Sequence, residues 1–494
     1  MKVLLVSPEA PDGFWGLKHA LKFISKQSIV PPLGLITVAA MLPKNWELKL
    51  VDMAVTKLTD QDIEWADYVF VSAMYIHKQS VEKIVAQCKK LSRPIVAGGP
   101  LFTAVPEDYD NIDHLVLNEA ELTLPLFLND LAKSNAGHIY RSNQWADIHK
   151  TPLPLWELCD LGSYAMMNLQ YSRGCPFDCD FCDVTTLYGR QSRIKTKEQV
   201  LAELTRLYEL KWRGDVFFVD DNLIGNKHHL KTEILPSVIN WMKEHNHPFA
   251  FNTQASINLA DDRELMDLMV KAGFNCVFVG IETPNEESLK ECRKLQNTKR
   301  DLLKSVKTIQ SSGMEVQGGF ILGFDHDNET IFDNVIEFIQ KSGIVTAMVG
   351  LLNAPKKTKL YNRLKQESRL LDYISGSNTD FTMNFIPKMD YKVLMGGYAK
   401  VMATIYSDKK YYERIRVFLK NYKPAKTNYP ILKYSDVKAF IKSLWHIGIR
   451  GKNRRYYWKL VFLTLNRPRY LNMVVTYSIF GIHFRTIFGK RTVI

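Results

Sequence analysis

Short apolar runs alternate with amphipathic stretches over the first 140 residues of the chain. The runs at 3–6, 48–51, 68–73, 94–97 and 114–117 have the length and composition of buried strands. Between them, residues 33–42 and 81–91 carry apolar side chains at helical spacing. Strands that alternate with helices in this order predict a doubly wound, flavodoxin-like α/β domain, in which a parallel sheet has helices on both faces.

A second series of strands and helices occupies residues 166–365. Strands are predicted at 167–171, 215–219, 250–253, 276–281, 316–322 and 346–351, and the helices between them include 197–208, 262–272 and 300–311. These six units predict a second parallel α/β domain. A closed eight-unit barrel would need more chain than this segment offers.

Proline-rich residues without a sustained period separate the two series, and they predict a linker over 142–165. The expected domains are therefore 1–141, the linker at 142–165, 166–365, and a mainly helical C-terminal domain over 366–494. A chain of 494 residues has ample length for this organisation.

Positive charge is concentrated at the end of the chain. Residues 401–494 hold 20 Lys and Arg and three acidic residues, a formal charge of +17, whereas the rest of the chain sums to −4. The overall composition, 46% hydrophobic and 24% charged, is that of an ordinary globular protein. The first residues predict a buried strand and not a signal peptide, so we expect the protein in the cytoplasm.

Three cysteines with the spacing CxxxCxxC, Cys175, Cys179 and Cys182, stand on one predicted loop. Thiolates this close together can hold three irons of an iron–sulfur cube. A structural zinc site needs four nitrogen or sulfur ligands, and the nearest other cysteines are Cys159 and Cys276. A disulfide framework is disfavoured because seven cysteines in 494 residues indicate a reduced, intracellular protein. The motif therefore indicates a cluster with one iron left open.

With Phe181 before the third cysteine, this motif resembles that of the radical S-adenosylmethionine (SAM) enzymes. The resemblance implies a 4Fe-4S cluster on the three cysteines, whose open iron binds the amino and carboxylate groups of SAM. It also implies a partial (β/α)6 barrel over 166–365 and an electron donor such as flavodoxin or ferredoxin. The implied reaction is reductive cleavage of SAM to a 5′-deoxyadenosyl radical, with the hard chemistry residing in the cofactor.

Polar side chains follow the predicted strands of this second domain, which is where a parallel barrel places its chemistry. Asp220 and Asp221 end the second strand, and by resemblance to the family they hold the methionine ammonium of SAM. The alternative is that one of them caps the following helix. Gln254 and Ser256 follow the third strand, in position to bond ribose hydroxyls or the methionine carboxylate.

Two further strand ends complete the SAM-binding candidates. Glu282, in the sequence Gly-Ile-Glu after the fourth strand, has the form seen in the family, and its carboxylate suits ribose hydroxyls. Residues 318–324 end the fifth strand, include Gly319 and Leu322, and resemble the segment along which adenine lies. A strand bulge accounts equally well for the glycines there.

The strand ends of the first domain carry a second group of candidates, Ser72, Gly98, Gly99 and Glu119. Open parallel sheets bind ligands at the carboxyl ends of their strands. Paired glycines let the backbone approach a ligand, although an ordinary strand-to-helix turn uses them too. Placed before a radical domain, this segment resembles the cobalamin-binding domain of the family's cobalamin-dependent branch. No DxHxxG motif follows Asp52, so cobalamin would carry water, no ligand or another residue on its lower face.

The C-terminal segment mixes basic and aromatic residues with Leu, Ile and Val, for example over 411–420 and 445–450. Three interpretations stay open: a helical domain with a solvated basic face, a surface for an anionic membrane, and a nucleic-acid grip. No run reaches the ~20 apolar residues of a membrane span, and dense apolar anchors favour a membrane surface over nucleic acid. The overall layout, residues 218–222 and this tail resemble the subgroup of hopanoid C-2 methylases, whose substrates are membrane triterpenoids.

The sequence as a whole predicts a radical SAM enzyme that uses cobalamin to methylate an unactivated carbon, on a small molecule or a lipid. Two alternatives remain: a radical SAM enzyme without methyl transfer, and one that modifies transfer RNA. Tyr75, His77 and Tyr188 are further candidates, because each is placed to face the space between the first two domains. We also expect peripheral contact with the inner membrane surface through the basic C-terminal domain.

Overall fold

A computed structural model of the chain describes residues 1–371, 375–377, 379–424, 434–452, 454–465, 467 and 470–489. All other residues belong to the expected C-terminal domain. The prediction of a domain over 366–494 therefore lies partly outside the described residues.

The N-terminal part of the structure contains one parallel sheet with helices on both faces. Its elements are β1 (Lys2–Ser7), α1 (Lys18–Ile24), α2 (Leu33–Met41), β2 (Glu47–Asp52), α3 (Asp60–Trp65), β3 (Tyr68–Ser72), α4 (Lys78–Lys90), β4 (Ile95–Gly98), α5 (Pro100–Ala104), β5 (His114–Val116), α6 (Ala120–Ala132) and β6 (Ile139–Tyr140). The strand order is β2-β1-β3-β4-β5-β6, and all neighbouring strands are parallel. The doubly wound, flavodoxin-like fold is confirmed. The prediction gave five of the six strands and the helices α2 and α4, and it lacked β6, α1, α3, α5 and α6.

The central strand β1 is buried on both faces, which explains its uninterrupted apolar run. Leu4 and Val6 pack in one apolar cluster with residues of α4, whereas Val3 and Leu5 pack in a second cluster with residues of α2 and α6. All four side chains are fully buried. Because successive strand residues point to opposite faces, both faces of the sheet need an apolar cover.

A second parallel sheet follows. Its elements are β7 (Met167–Leu169), β8 (Ser172–Arg173), α7 (Val184–Tyr188), β9 (Arg193–Ile194), α8 (Lys197–Glu209), β10 (Gly214–Phe218), α9 (Lys227–His229), α10 (Leu235–Glu244), β11 (Phe249–Gln254), α11 (Arg263–Ala272), β12 (Phe274–Glu282), α12 (Glu286–Glu291), α13 (Leu302–Ser312), β13 (Glu315–Leu322), α14 (Ile331–Ser342), β14 (Ala347–Leu351) and α15 (Lys359–Gln366). The order β14-β13-β12-β11-β10-β7 confirms the partial (β/α)6 barrel, and β8 with β9 forms a separate antiparallel hairpin.

The segment between the two sheets, residues 142–165, has no strand or α-helix. It is nevertheless packed firmly against both neighbours. Trp156 and Tyr164 are almost fully buried, and the Tyr164 hydroxyl donates a hydrogen bond to Asp52 at the end of β2 (2.9 Å).

Residues 14–31 connect the two edge strands of the partial barrel. Trp15 donates through Nε1 to Sδ of Met348 on β14 (3.0 Å). At the opposite edge, Asn168 on β7 donates through Nδ2 to the carbonyl oxygen of Pro31 (2.9 Å). Residues 14–31, hereafter the excursion of the N-terminal domain, therefore occupy the side of the barrel that its six strands leave open.

The described C-terminal residues are mainly helical. They form α16 (Tyr391–Ile405), α17 (Asp408–Asn421), α18 (Tyr434–Ser443), which continues as a π-helical segment (Leu444–Ile449), α19 (Arg454–Thr464) and α20 (Leu471–Gly489). Phe484 of α20 stacks on Phe14 with ring centroids 4.6 Å apart, so these helices also pack on the excursion at the open side of the barrel. Among the described helices, none has the length and apolar character that crossing a bilayer requires.

The end of the barrel at which its strands begin is closed by α20. Glu315, the first residue of β13, pairs with Cys276 of β12 and faces the buried Tyr477 of α20. Burial raises the pKa of Glu315 to about 7, although polar contacts with Tyr477 and Gln317 act in the opposite direction. The closed end of the barrel therefore holds a carboxyl group that favours its protonated form.

Glu315→Gln is expected to raise the thermal unfolding midpoint more at about pH 8 than at about pH 5. The unfolded carboxyl ionises near pH ~4.3, whereas the folded one stays protonated up to about pH 7. The folded state therefore loses stability as the pH rises through this window, and glutamine removes that loss. Differential scanning fluorimetry measures it, with Glu337→Gln on the exposed face of α14 as the control. Equal shifts at both pH values would contradict the assignment.

Candidate active site

The three cysteines lie on a loop that follows β8 at the carboxyl end of the barrel. All three thiols are free, and Cys179 is 9% exposed. Gly174, at the start of the loop, has a φ of +88°, and a Cβ there would lie 2.6 Å from the carbonyl oxygen of Gln191. Only glycine tolerates this conformation and this approach. Burial raises the pKa of each thiol, and the charge of Lys294 lowers it in part.

Lys294 brings a buried positive charge to the cysteine loop. Its Nζ lies 2.6 Å from Oε1 of Glu282, and the two side chains are only 13% and 8% exposed. Burial alone would lower the pKa of Lys294, but Glu282 and the neighbouring thiols raise it above its ordinary value. Gly280 makes room for this pair, since a Cβ there would lie 2.8 Å from the Lys294 Nζ. The structure thus brings Glu282 to the cysteine loop through a lysine.

Sequence reasoning missed Lys294 and a second residue near the thiols, Gln296, whose Nε2 lies 3.8 Å from Sγ of Cys179. Both follow α12 on a connecting segment rich in ordinary polar residues. Neither residue belongs to a motif or follows a predicted strand, so no sequence feature marks them as neighbours of the cysteine thiols. Only the fold shows that they lie beside the loop.

Asp220 holds the start of the cysteine loop. It is fully buried, and its carboxylate accepts hydrogen bonds from the backbone of Tyr171 (3.1 Å) and from the backbone and hydroxyl of Ser172. Burial raises its pKa to about 7 despite these bonds. This placement favours a supporting role for Asp220 over the predicted contact with the SAM ammonium, because both of its oxygens already serve the turn between β7 and β8.

Asp221, by contrast, stands beside the loop. Burial raises its pKa to about 6, and the backbone N–H of Gly174 lowers it in part. The charges of Asp183 and Asp221 lie near the Tyr188 hydroxyl, whose pKa burial raises to about 12. These three side chains form a polar group next to the cysteines.

The two candidates at the end of β11, Gln254 and Ser256, have different surroundings. Ser256 is engaged with its neighbours: its N–H and hydroxyl lie 3.0 and 3.3 Å from Oδ1 of Asn222, and the hydroxyl lies 2.6 Å from Oδ1 of Asn258. Gln254 is partly exposed and shares the lumen-facing side of β11 with Asn252. The direct candidate here is therefore Gln254, with Ser256 supporting Asn222.

Along β13, Gly319 faces the lumen and Leu322 does not. A Cβ on Gly319 would lie 2.8 Å from the ring of Phe278 on β12. Leu322 is fully buried in the apolar core. Its side chain therefore supports the strand, and any contact with a ligand at this position would have to come from the backbone. The assignment of residues 318–324 to the adenine of SAM stays a prediction.

In the N-terminal sheet, the glycines fit the closely spaced strand ends. A Cβ on Gly98 would lie 2.7 Å from the carbonyl oxygen of Val116. Gly99 has a φ of +97°, and a Cβ there would lie 3.0 Å from Oγ of Ser72. Ser72, Gly98 and Gly99 are thus brought together at the carboxyl edge of this sheet. Turn geometry alone requires the glycines, and it leaves the edge free of bulky side chains.

An ion-pair network, hereafter the junction network, joins this edge to the barrel through Glu119, Glu121, Arg173 and Arg193. Glu119 accepts from Arg173 (3.0 Å) and Arg193 (2.9 Å), and Glu121 accepts twice from Arg173 (2.7 and 3.0 Å). The two glutamate side chains are only 2% and 9% exposed. Burial disfavours the charge on Glu121, but Arg173 outweighs it and lowers its pKa to about 2.

The junction network favours a structural role for Glu119 over the predicted contact with cobalamin. Both carboxylate oxygens of Glu119 are occupied, since the backbone N–H of Ala146 also donates to Oε2 (2.8 Å). Glu119 therefore fixes the first sheet against the barrel and has no oxygen left for a cofactor.

Tyr75 and His77 lie on the first sheet's side of the junction. The Tyr75 hydroxyl is buried without a hydrogen-bond partner among the described residues, and the nearby charge of Asp183 reaches it from the cysteine loop. His77 accepts a hydrogen bond at Nδ1 from the backbone of Met74, and burial lowers its pKa to about 4. The structure therefore places Tyr75 where the two domains meet, and keeps His77 neutral.

The donor set fits a cubane cluster with one open iron. Within the described residues, no three His, Cys, Asp or Glu side chains converge to hold a single ion, whereas three free thiols share one loop. Lys294 offsets part of the charge of three thiolates. Two buried polar atoms near the loop, Nδ2 of Asn222 and Oε1 of Gln296, have no hydrogen-bond partner among the described residues. At the carboxyl edge of the first sheet, Gly98 and Gly99 place no side chain where a bound cofactor would approach the backbone.

Lys294→Met is expected to lower cluster retention and SAM affinity strongly. Removing the lysine leaves Glu282 buried without its cation, which typically costs about 3–5 kcal/mol. Iron and sulfide per chain after anaerobic reconstitution, together with SAM binding by equilibrium dialysis, measure the effect.

The matched control is Lys290→Met on α12, whose lysine forms exposed ion pairs with Glu287 (2.8 Å) and Glu286 (3.7 Å). Exposed pairs contribute about 0–1 kcal/mol, so this variant should behave as the unmodified protein. Equal iron content and SAM affinity in the two variants would remove Lys294 from the site.

Three family profiles match the chain in order. They are the B12 binding domain over residues 23–128, the Radical SAM superfamily over 169–339, and a domain of unknown function, DUF4070, over 358–492. The three matches cover the first sheet except β1 and β6, most of the barrel, and the C-terminal helices.

Two relatives match nearly the whole chain. An uncharacterised methyltransferase of Synechocystis is 40% identical over 490 residues, which span 98% of this chain and 91% of that protein. The hopanoid C-2 methylase of Rhodopseudomonas palustris is 32% identical over 487 residues, 96% of this chain and 91% of that protein.

Solved structures share the fold at low identity. OxsB, a cobalamin-dependent SAM radical enzyme with aqua-cobalamin bound, is 14% identical with a TM-score of 0.61, covering 99% of this chain and 80% of that one. TsrM of Kitasatospora setae, a radical SAM methyltransferase with cobalamin and a 4Fe-4S cluster bound, is 14% identical with a TM-score of 0.60, covering 97% of this chain and 99% of that one.

Proposed function

The chain belongs to the radical SAM enzymes that carry a B12 binding domain, and from this we propose that it methylates an unactivated carbon of a lipid. The family's cofactors are a 4Fe-4S cluster, SAM and cobalamin. The observation that carries the lipid assignment is the likeness to a hopanoid C-2 methylase over 96% of the chain, C-terminal helices included.

We assign the cofactor roles as follows. Cys175, Cys179 and Cys182 hold three irons, and Lys294 balances part of their charge beside Glu282. When bound, the cluster and SAM supply a 5′-deoxyadenosyl radical, and cobalamin supplies the methyl group.

The other assignments separate ligands from supports. Asp221 and Gln254 face the polar groups of SAM, while the backbone at Gly319 leaves room for its flat base. Ser72 and the glycine pair Gly98 and Gly99 form the edge that receives cobalamin. Asp220, Ser256 and the junction network do not contact the cofactors in this assignment. They fix in place the loop and strand ends that carry the ligands.

An apolar wall in the barrel suits a lipid substrate. Trp15 is 41% exposed, although its ring lies 5.4 Å from that of Phe278 and its Nε1 contacts Met348. Since Phe278 shares its face of β12 with Gly280 and Glu282, this wall continues the side of the barrel that carries the SAM candidates. A substrate without polar groups near the attacked carbon would pack there and exclude water from the radical.

The proposed domains are 1–141 for cobalamin, 166–365 for SAM and the cluster, and 366–494 for contact with the lipid. Residues 142–165 form the linker between the first two domains. Reduction of the cluster requires an external donor such as a flavodoxin or ferredoxin.

Anaerobic turnover with a reduced cluster, cobalamin and a triterpenoid substrate is expected to yield 5′-deoxyadenosine and S-adenosylhomocysteine in equal amounts. One product reports hydrogen abstraction and the other reports methyl supply. Cys179→Ala should abolish both, because it removes one of three cluster ligands, whereas Cys159→Ala outside the loop should keep both. Liquid chromatography with mass spectrometry measures the two nucleosides.

Two outcomes would overturn parts of this proposal. Deoxyadenosine without S-adenosylhomocysteine would assign the protein to radical chemistry without methyl transfer. SAM cleavage that survives Cys179→Ala would falsify the cluster assignment itself.

A further inference from the structure

An exposed apolar stripe runs along α18 and the π-helical segment that continues it. Val437, Ile441, Trp445 and Ile449 follow one another at intervals of four residues and are 44%, 60%, 47% and 53% exposed. Side chains four apart share one side of a helix. Four large apolar side chains on one solvent-facing side are unusual for a helix that packs only on its own protein.

The fold does not need this stripe, because the opposite side of the same helix makes the packing contacts. Ala439 is buried in an apolar cluster with Phe23 of α1 and Ile479 of α20. Ser443 is fully buried and shares a hydrogen bond with the Tyr457 hydroxyl (2.8 Å). The helix therefore has two apolar sides, and only one has a partner within the described chain.

The stripe continues onto α19 through Trp458. The indole Nε1 of Trp458 donates to the carbonyl oxygen of Gly448 (2.9 Å), and its ring lies 5.9 Å from that of Phe462. Phe462, Leu463 and Leu465 are 61%, 47% and 67% exposed. We call the combined surface the docking face, and it consists of Val437, Ile441, Trp445, Ile449, Phe462, Leu463 and Leu465.

Basic side chains accompany the docking face. Six of them are exposed and form no ion pair with a described acidic residue: Arg450, Lys452, Arg454, Arg455, Lys459 and Arg467. Between 434 and 467 the sequence contains a single acidic residue, Asp436. The partner of this face therefore offers apolar surface and negative charge together.

We propose that the docking face inserts shallowly into a bilayer that carries anionic phospholipids. Apolar side chains beside lysine and arginine, with Trp and Phe among them, have the composition of interfacial helices that lie in the membrane plane. A second copy of the chain is disfavoured, because it would bring two sets of unpaired cations together. Five of the seven apolar side chains are aliphatic and offer no ring for base stacking, which disfavours a nucleic acid.

The position of the docking face also connects it with the barrel. Helix α1 packs on both α18 and α20, and Lys442 of α18 donates to the carbonyl oxygen of Lys22 in α1 (2.7 Å). Trp15, which contributes to the apolar wall of the barrel, lies three residues before α1. Membrane docking would thus bring the bilayer to the helix that leads to this wall. Docking does not require turnover. With a membrane lipid as substrate, as in the proposed function, docking would bring the barrel to that substrate.

Vesicle flotation with the full-length protein tests the proposal without substrate. We expect binding to vesicles of phosphatidylcholine with phosphatidylglycerol, weaker binding to phosphatidylcholine alone, and loss of binding at high salt. Replacing two anchors together, Ile441→Gln with Trp445→Gln, should reduce binding about tenfold or more. Arg454→Gln with Arg455→Gln should reduce binding to the anionic vesicles and leave weak binding to neutral ones unchanged.

The matched control is Leu126→Gln with Ile139→Gln, two exposed apolar residues of the N-terminal domain (52% and 43% exposed), which should bind as the unmodified protein. Unfolding midpoints equal to that of the unmodified protein exclude a folding defect in each variant. The proposal is overturned if the protein does not float with anionic vesicles, or if the stripe variant floats as well as the control. It is equally overturned if the stripe variant loses a dimer seen by sedimentation, or if transfer RNA is bound and vesicles are not. None of these results depends on whether the protein methylates a lipid.

Discussion

Two glutamates of one domain and two arginines of the next hold the cofactor edges of this protein opposite each other. Glu119 and Glu121 follow β5 of the first sheet. Arg173 ends β8 and Arg193 begins β9, the two short strands between which the cysteine loop lies. Removing one member of such a buried set leaves its partner's charge without compensation, at a typical cost of about 3–5 kcal/mol. The junction network therefore defines the distance and the angle between a sheet edge that suits cobalamin and a loop that suits an iron–sulfur cluster. In the proposed function, everything else in the site depends on this arrangement, because the substrate would have to face both the cluster and the cobalamin.

Local pattern was enough to predict most of the fold. The apolar runs of β1 and β13, the helical spacing of α4 and the cysteine loop are all encoded by near neighbours, and each was placed within a few residues. The roles of Glu119 and Asp220 were not predictable in this way. Glu119 meets its arginines 54 and 74 residues further along the chain, and Asp220 bonds the turn at Ser172, 48 residues before it. A carboxylate at a strand end looks the same in the sequence whether it faces a ligand or supports a loop. Lys294 was missed for the related reason that a lysine on a connecting segment is ordinary until the fold places it beside three thiols.

The C-terminal helices contribute to the barrel as well as to the surface. Phe484 of α20 packs on Phe14, Tyr477 closes the end of the barrel beside Glu315, and α18 presents the docking face on its outer side. A partial barrel of six strands has an open side, and here that side is occupied by residues 14–31 with α20 packed behind them. The same helices thus complete the chamber of the radical chemistry and carry the positive charge of the chain.

In the proposed function, cobalamin and the cluster share one chamber across the junction network. Electron paramagnetic resonance of protein loaded with both cob(II)alamin and the reduced cluster measures whether they do. We expect the two spins to interact, so that the doubly loaded spectrum shows broadening or splitting that is missing from each singly loaded spectrum. A doubly loaded spectrum equal to the sum of the two singly loaded ones would rule out a shared chamber.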